Sequence, residues 1–571
     1  MGKSYGVVKW AETTGKPLTI FTSRHELYGQ YEQWCEEREL SHLSLPAFHR
    51  ECPTMGGENS IEGDVRRLYE AGIFGKELHE NSTAYFGQRL PCQLNSPCPY
   101  MEKRDFDPSK YEVLIGHYLQ AHNSDYLEER YVAFDEFPGD AYFFEPTHNK
   151  ATRAITKYLD TEPDLPFDNW KQLFHYRLAP EYQDEIEAWT EEMGGYSHRD
   201  SRRHLQRSPD YHAHAPLLTH AALEFEFLDN EWEYADLGLG RVAAKSPEDE
   251  WTILIPPLLF DAESVVALDG TPNVTKWRLA LGGRWIRHER VLDSDREKRA
   301  YLRDVLGLTI IQTTAGSKPY LSGRSTNSRS DGALLEGIRQ REGERPAVIT
   351  SNAALEQYRT DDVDNLIEES EHFGNLKGSN QFEETHLGAV IGSPHPPEDE
   401  AVQRWGAFEG ESIERETDDD GYEKRGDFLD FGPLGNSLFR NVVHDEVLQA
   451  VMRFGRTPSE SKDGATVYVH TSRLPHWVAP DGRIRVATWS EGMKEVVGVI
   501  RASEKWPDGE WTNREIADVT SVGTKQVGEL LKELDEEGYV SHWRGGRGNA
   551  YHWENERLEE FTAFGRVETA E

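Results

Sequence analysis

The chain has 571 residues, 37% of them hydrophobic, and a formal net charge of −39 at pH 7. That length excludes one hydrophobic core and predicts three or four domains. No apolar run approaches the ~20 residues of a membrane-spanning helix, so no membrane partner is expected. Acidic residues are spread along the whole chain and Arg outnumbers Lys roughly two to one. Such a surface is expected of a protein that stays soluble in concentrated salt; this halophilic background weakens a nucleic-acid reading without removing it.

There is no charged-then-apolar leader, which argues against secretion. Cys35, Cys52, Cys92 and Cys98 all fall in the first fifth of the chain. Clustered cysteines suggest a local site in a reducing, cytoplasmic compartment more than a disulfide framework.

In chain order, Gly2, Lys3 and Ser4 spell the end of a phosphate-binding loop. "YGVVKWAETTGK" then reads as a helix ended by Gly15, and Leu18 to Thr22 as a short apolar strand. "RHELYGQYEQWCEE" is again helical and places Leu27, Tyr31, Trp34 and Cys35 on one face. Nearly continuous apolar strands recur at 111–118, 130–137, 264–272, 346–351, 387–394 and 465–472, separated by helix-like stretches. This alternation predicts parallel sheets covered on both faces. Two stretches interrupt it: 40–110, which holds three of the cysteines, and 140–250, which is polar, aromatic and mostly helical in pattern. The acidic run 411–427 reads as a solvated loop. From about 490, three amphipathic helices and a Gly-tipped hairpin follow in the order of a winged helix-turn-helix.

Several of these elements end in residues that carry chemistry. The strand in "YVAFDEFP" finishes in Asp135 and Glu136, which places two carboxylates at the carboxyl edge of a parallel sheet, where ligands sit. Asp135 is suited to hold Mg2+, and Glu136 to orient or deprotonate a water attacking a γ-phosphate. In "VLQAVMRFGR", Gln449, Arg453 and Arg456 are spaced so that two guanidinium forks share a helix face and could meet a polyphosphate. His212, His214 and His220 lack a carboxylate or cysteine at ligand spacing and read as surface or core. In the C-terminal part, Thr524, Lys525 and Gln526 open the recognition helix, and Arg544 and Arg547 flank the wing tip. Those positions reach base edges and phosphates in DNA-binding members of this motif, although other winged helices bind protein.

Taken in order, the motifs resemble those of superfamily 2 helicases, and in detail the XPD family of DNA helicases, over roughly residues 1 to 480. "GKS" matches motif I, "FTSRHEL" motif Ia, "DEFP" motif II, "ALDGTP" motif III, "GNLKGSNQFE" motif V and "QAVMRFGR" motif VI. The two interruptions fall where that family carries insertions. Phe137 and Pro138 replace its usual Ala-His, and Met452 replaces the glycine of motif VI.

The resemblance implies an α/β protein with two tandem RecA-like P-loop NTPase domains. The first would comprise 1–40, 108–138 and 250–295; the second, 296–485. A cysteine insertion would span 41–107, a helical arch-like insertion 139–249 and the winged helix 488–560.

It further implies ATP and Mg2+ as cofactors, with Gly2, Lys3 and Ser4 holding nucleotide and metal. Asp135, Glu136, Gln449, Arg453 and Arg456 would be catalytic, and ATP would bind between the two RecA-like domains. Thr271, Lys377, Ser379 and Asn380 would couple nucleotide state to DNA. The expected activity is ATP-driven helicase or translocase movement on single-stranded or forked DNA, with replication or repair proteins as partners.

By the same resemblance the cysteines would hold a 4Fe-4S cluster. Only Cys52, Cys92 and Cys98 are well placed for that role, since Cys35 belongs to an apolar helix face. A histidine, His79 or His49, could complete a Cys3His set, which suits zinc at least as readily. The loop before Gly2 would be incomplete with Met1 as initiator, so a start further upstream is expected. Two competing readings stay open: a non-catalytic DNA-binding or regulatory protein that retains the helicase fold, and an RNA helicase.

Overall fold

Runs of four to six apolar residues bounded by turn signals form the parallel strands of two separate sheets. The structure is a computed structural model that describes all residues except 1–2, 58–59, 95–96, 163, 195–211, 284–285, 377–380, 395–397, 425–428, 457–463, 546–549 and 570–571. Packing divides it into two units, Met1–Arg290 with Pro396–Asn441, and Val291–His395 with Val442–Glu571.

The first unit is built on a five-stranded parallel sheet. Its order is Ser264–Leu268, Tyr131–Asp135, Leu18–Thr22, Val113–His117 and His42–Ser44. Leu18–Thr22 is buried at every position, as a strand covered on both faces must be. Helices Lys3–Thr14 and Glu26–Glu36 contribute Val8, Ala11, Tyr31 and Cys35 to a core shared with Ile20, Ile115 and Ala133. At the amino edge of the sheet the buried Arg130 guanidinium donates to Thr19 Oγ1 and to the carbonyls of Leu18, Pro108, Tyr111 and Glu112. Carbonyls at the starts of two neighbouring strands and in the loop before one of them are thereby gathered by one planar donor set.

Residues 45–104 form a run of short helices, including Phe48–Glu51, Pro53–Gly56, Glu62–Glu70, Gly75–Glu80 and Pro99–Arg104. They bury a small core of Phe48, Met55, Val65, Leu78 and Tyr100. Gly75 is required there, because a Cβ would lie 2.4 Å from the Phe48 ring.

The segment from 139 to 254 departs from the helical expectation. Among the described residues, helices His148–Leu159, Trp170–Tyr176, Gln183–Gly194 and Ala215–Glu224 accompany a five-stranded antiparallel sheet. That sheet runs Phe143–Phe144, Trp251–Leu254, Val242–Lys245, Glu233–Asp236 and Glu226–Phe227. Its strands are two to four residues long, too short to show a period of two against a polar background.

Residues 396–441, read above as part of the second domain, pack with the first unit. Helix Glu398–Ala407, packed on helix Gly432–Phe439, carries Trp405 against Phe143, and its Arg404 forms an ion pair with Glu145 at 2.7 Å.

The second unit holds a seven-stranded sheet in the order Ser370–His372, Ala347–Thr350, Leu387–Ile391, Ala465–His470, Leu308–Gln312, Gly482–Thr488 and Gly565–Thr569. Six strands are parallel, and the last adds antiparallel at the edge. After the sixth strand come helices Glu491–Ala502, Asn513–Ala517 and Thr524–Glu536, with a three-stranded antiparallel sheet around a core of Val496, Leu531, Tyr539 and Trp553. Glu336, buried on helix Ser328–Glu342, accepts from the backbone N–H of Thr562 and Gly565 and from the Tyr539 hydroxyl. One carboxylate thus ties the C-terminal strand and the small helical domain to the sheet helix.

Asp331, on the same helix, is fully buried and accepts from the hydroxyls of Tyr320 at 2.8 Å and Tyr358 at 2.9 Å. Burial pushes its carboxyl up to about 6, against the lowering effect of the Lys318 ammonium and the two tyrosine hydroxyls. In the unfolded chain the same group titrates near 3.8. The folded state therefore holds this proton more tightly; the stabilising contribution is complete below pH ~4 and is lost as pH rises through ~6. Asp331→Asn is expected to flatten that part of the stability profile by up to about 3 kcal/mol, measured by denaturant unfolding between pH 4 and 7.

Candidate active site and metal centre

Asp135 ends the strand Tyr131–Asp135 at the carboxyl edge of the first sheet and is almost completely buried. A buried carboxylate requires donors. Ser4 Oγ, in the first turn of helix Lys3–Thr14, donates to Oδ1 at 2.8 Å, and the Tyr31 hydroxyl donates to Oδ2 at 2.5 Å. Burial first, and then the Asp135 charge, hold Tyr31 well above the ordinary phenol range, so it remains a donor. The Tyr118 hydroxyl donates to the backbone carbonyls of Asp135 and Glu136, at 2.5 and 3.0 Å.

Glu136 stands next in the left-handed region, at φ 70°, and its N–H donates to Leu268 O at 2.8 Å. A non-glycine residue there costs energy and is found where surrounding structure over-determines it. Lys3 Nζ donates to the same Leu268 carbonyl at 3.3 Å. Residues from positions 3–4, 31, 135–136 and 268 thus converge on one sheet edge. Two oxygens 2.8 Å apart, one a carboxylate, are hard donors of the kind Mg2+ takes. Gly2 lies outside the described residues.

Thr271 follows the neighbouring strand Ser264–Leu268. Its N–H donates to Asp269 Oδ1 at 2.9 Å, and the Trp277 indole donates to Oδ2 at 2.8 Å. The Thr271 carbonyl accepts from Asn441 Nδ2 at 2.8 Å. Phe137 packs edge-on against Trp277, with ring centroids 5.2 Å apart, and the Lys276 ammonium sits 4.6 Å from the Phe137 centroid. The Phe137 ring is therefore in contact with the helix after Thr271, through a cation–π and an aromatic pair.

In the second unit, helix Glu446–Val451 carries Gln449 but stops before the two arginines. Arg453 is buried and Arg456 half-buried in the turn that follows, where Arg456 Nε donates to Met452 O at 2.7 Å. The expected shared helix face is thus a turn. Gly455, at φ 61°, makes it, and a Cβ there would lie 2.6 Å from the Gly464 backbone. Lys377, Ser379 and Asn380 lie outside the described residues, as does Arg547.

Lys525 and Gln526 are exposed in the first turn of helix Thr524–Glu536, with Lys525 3.6 Å from Glu529. Arg544 lies on the hairpin strand Val540–Gly545 over the Tyr551 ring, 4.3 Å from its centroid. Trp543 beside it is partly exposed and stacks on His552 at 4.3 Å.

The metal expectation falls on a compact cluster. One ligand atom from each of Cys52, His79, Cys92 and Cys98 lies within 4.8 Å of every other. Cys52 Sγ is 3.7 Å from Cys92 Sγ, and His79 Nε2 is 3.6 and 3.4 Å from those two sulfurs. His79 Nδ1–H donates to Gly75 O at 2.6 Å, which leaves the Nε2 lone pair facing the sulfurs. The hydrogen bond from Cys52, followed by the one with His79, holds the Cys92 thiol well below its ordinary range; its hydrogen bond to Cys92 and burial push Cys52 up. Cys35 is apart, buried in the core of the first sheet, its thiol pushed up to about 12 by burial. His49 is not in the cluster either. His220 is buried, and His212 stacks on Phe144 at 4.4 Å.

Sequence reasoning places Tyr31 on an apolar face but assigns it no role, and no motif marks it. Its only signal is a hydroxyl on an otherwise core-facing position.

No protein-family model matches the chain, and no curated protein matches it. Among solved structures, the chain is similar to one described as "Structure of S. tokodaii Xpd4", at 12% identity and TM-score 0.39, covering 83% of this chain and 90% of that one. A second, "Truncated XPD", is similar at 12% identity and TM-score 0.25, over 50% of this chain and 90% of that one. Likeness at this level assigns neither family nor activity. No helix among the described residues is long and apolar enough to cross a membrane.

Two tyrosines on one helix test the Asp135 network. Tyr31→Phe leaves Asp135 Oδ2 without its donor and is expected to cost about 1–2 kcal/mol, read as a lower denaturation midpoint. Tyr28, one turn earlier, has a buried hydroxyl with no hydrogen-bond partner among the described residues, so Tyr28→Phe is expected to be neutral or stabilising.

Proposed function

We propose that the chain is an ATP-dependent DNA helicase or translocase with XPD-like organisation. The observation that carries this reading is the hydrogen bond between Ser4 and Asp135, 131 residues apart in sequence, at the carboxyl edge of a parallel sheet. A hydroxyl at the start of a helix, meeting the carboxylate at the end of a neighbouring strand, is the arrangement that P-loop NTPases use for Mg2+. Ser4 and Asp135 would hold that ion, which when bound neutralises charge on the β and γ phosphates.

In this proposal Lys3 turns from the Leu268 carbonyl to the phosphates, where its ammonium offsets their charge. Glu136, fixed beside Asp135 by its left-handed backbone, orients the attacking water and accepts its proton. Gln449, Arg453 and Arg456 are proposed to offset the developing phosphate charge. Thr271, linked to Asn441 and through Asp269 to Trp277, is proposed to pass nucleotide state toward the DNA path, with Lys377, Ser379 and Asn380 in the second unit. Three helices and a hairpin near the C terminus, with Lys525, Gln526, Trp543 and Arg544, support reading that part as a winged helix that contacts DNA, and Arg547 is proposed to act with them.

The test is ATP hydrolysis by the full-length gene product at molar salt, with and without single-stranded DNA. Stimulation by DNA is expected, and Glu136→Gln is expected to lower kcat by at least ~10²-fold while nucleotide still binds. Absence of DNA-stimulated hydrolysis, with Glu136→Gln indistinguishable from the parent, would sink the proposal.

A further inference from the structure

We infer that Cys52, His79, Cys92 and Cys98 form a closed structural site for one tetrahedral zinc ion, and that they do not hold an iron–sulfur cube. The inference is independent of the nucleotide chemistry above.

The distances decide between the two groups. Ligands of one tetrahedral zinc, with Zn–S near 2.3 Å and Zn–N near 2.0 Å, stand about 3.8 Å apart for two sulfurs and about 3.6 Å for sulfur and nitrogen. Here the Cys52 and Cys92 sulfurs are 3.7 Å apart, and His79 Nε2 is 3.6 and 3.4 Å from them. Cys98 completes a set in which no pair exceeds 4.8 Å. In a 4Fe-4S cube each thiolate binds a different iron at a different corner, so the sulfurs must stand much farther apart than ligands of a single ion. Opening this cluster to fit a cube would force apart elements that already share one core, with Cys52 and Cys98 among its members.

The donor set agrees with the distances. Three thiolates and one imidazole are a common zinc set, whereas cubes are held by four thiolates. His79 is oriented as metal-binding histidines are, with the far ring nitrogen donating to a backbone carbonyl. The hydroxyl of Thr54 accepts from Cys92 N at 3.1 Å and steadies the loop beneath that ligand.

Four protein ligands leave no open position, so the ion is structural. Its place suits that role: His79 and Cys92 lie on short helical turns, Cys52 and Cys98 immediately before two others, and no strand joins them among the described residues of 45–104. A region of about sixty residues with so small an apolar core commonly needs a metal or another staple.

The test begins with wild-type, full-length protein purified without oxygen from cells supplied with both iron and zinc. About one zinc per chain, a colourless solution and no acid-labile sulfide are expected; replacement by cobalt(II) alone is expected to give the visible bands of a tetrahedral thiolate site. His79→Ala and Cys92→Ala are expected to lose zinc, and His79→Cys to retain it, a variant that separates ligand loss from misfolding. About four irons and four sulfides per chain with brown colour would overturn the inference. So would a metal-free protein carrying a Cys52–Cys92 disulfide, or a His79→Ala variant that keeps its full zinc content.

Discussion

A carboxylate buried at the end of a parallel strand must be paid for with donors, and the first unit is arranged around that need at Asp135. The strand can end in a charge only because helix Lys3–Thr14 brings Ser4 to one oxygen and helix Glu26–Glu36 brings Tyr31 to the other. Both helices lie over the sheet whose central strand joins them, so the apolar packing of Val8, Tyr31 and Ile20 and the polar closure of Asp135 are one arrangement. At the opposite edge the buried Arg130 performs the complementary task, donating to carbonyls at the starts of the strands while desolvation lowers its own pKa. The sheet is thus fastened at its amino edge and left chemically equipped at its carboxyl edge, the usual asymmetry of open α/β sheets.

The remaining parts solve local versions of the same problem. The cysteine region has too little apolar surface and gathers four soft ligands at its centre. The mixed segment from 139 to 254 buries an ion pair, Lys245 with Glu233 at 2.6 Å, where a short antiparallel sheet meets its helices. In the second unit Glu336 accepts from strand and hydroxyl donors contributed by the last forty residues. The carboxylates of Asp135 and Glu336 have donors distant in sequence, and each therefore specifies a tertiary contact that apolar packing alone would leave loose, whereas Lys245 and Glu233 face each other across adjacent strands.

Some of this was legible from residue order. The apolar runs at 111–118, 130–137, 264–272, 346–351, 387–394 and 465–472 all contain strands, because continuous burial leaves a continuous apolar signal. His79 was accessible as one of two candidate fourth ligands. Other parts were hidden for physical reasons. The strands between 226 and 254 are too short to show alternation. The segment 396–441 joins the first unit through Trp405, Arg404 and Glu145, contacts that no local pattern announces. Arg453 and Arg456 lie beyond the helix end at Val451, and a helical spacing of arginines looks the same whether or not the helix continues.

By itself the sequence determined the α/β alternation, the positions of the carboxyl-edge acids and the cysteine-rich interruption, since each is written in local periodicity and residue type. Only the tertiary structure decided which hydroxyls satisfy Asp135, which histidine joins Cys52, Cys92 and Cys98, and which unit claims residues 396–441. Those outcomes depend on distances between elements far apart in the chain, and a pattern of residue types carries no such distances.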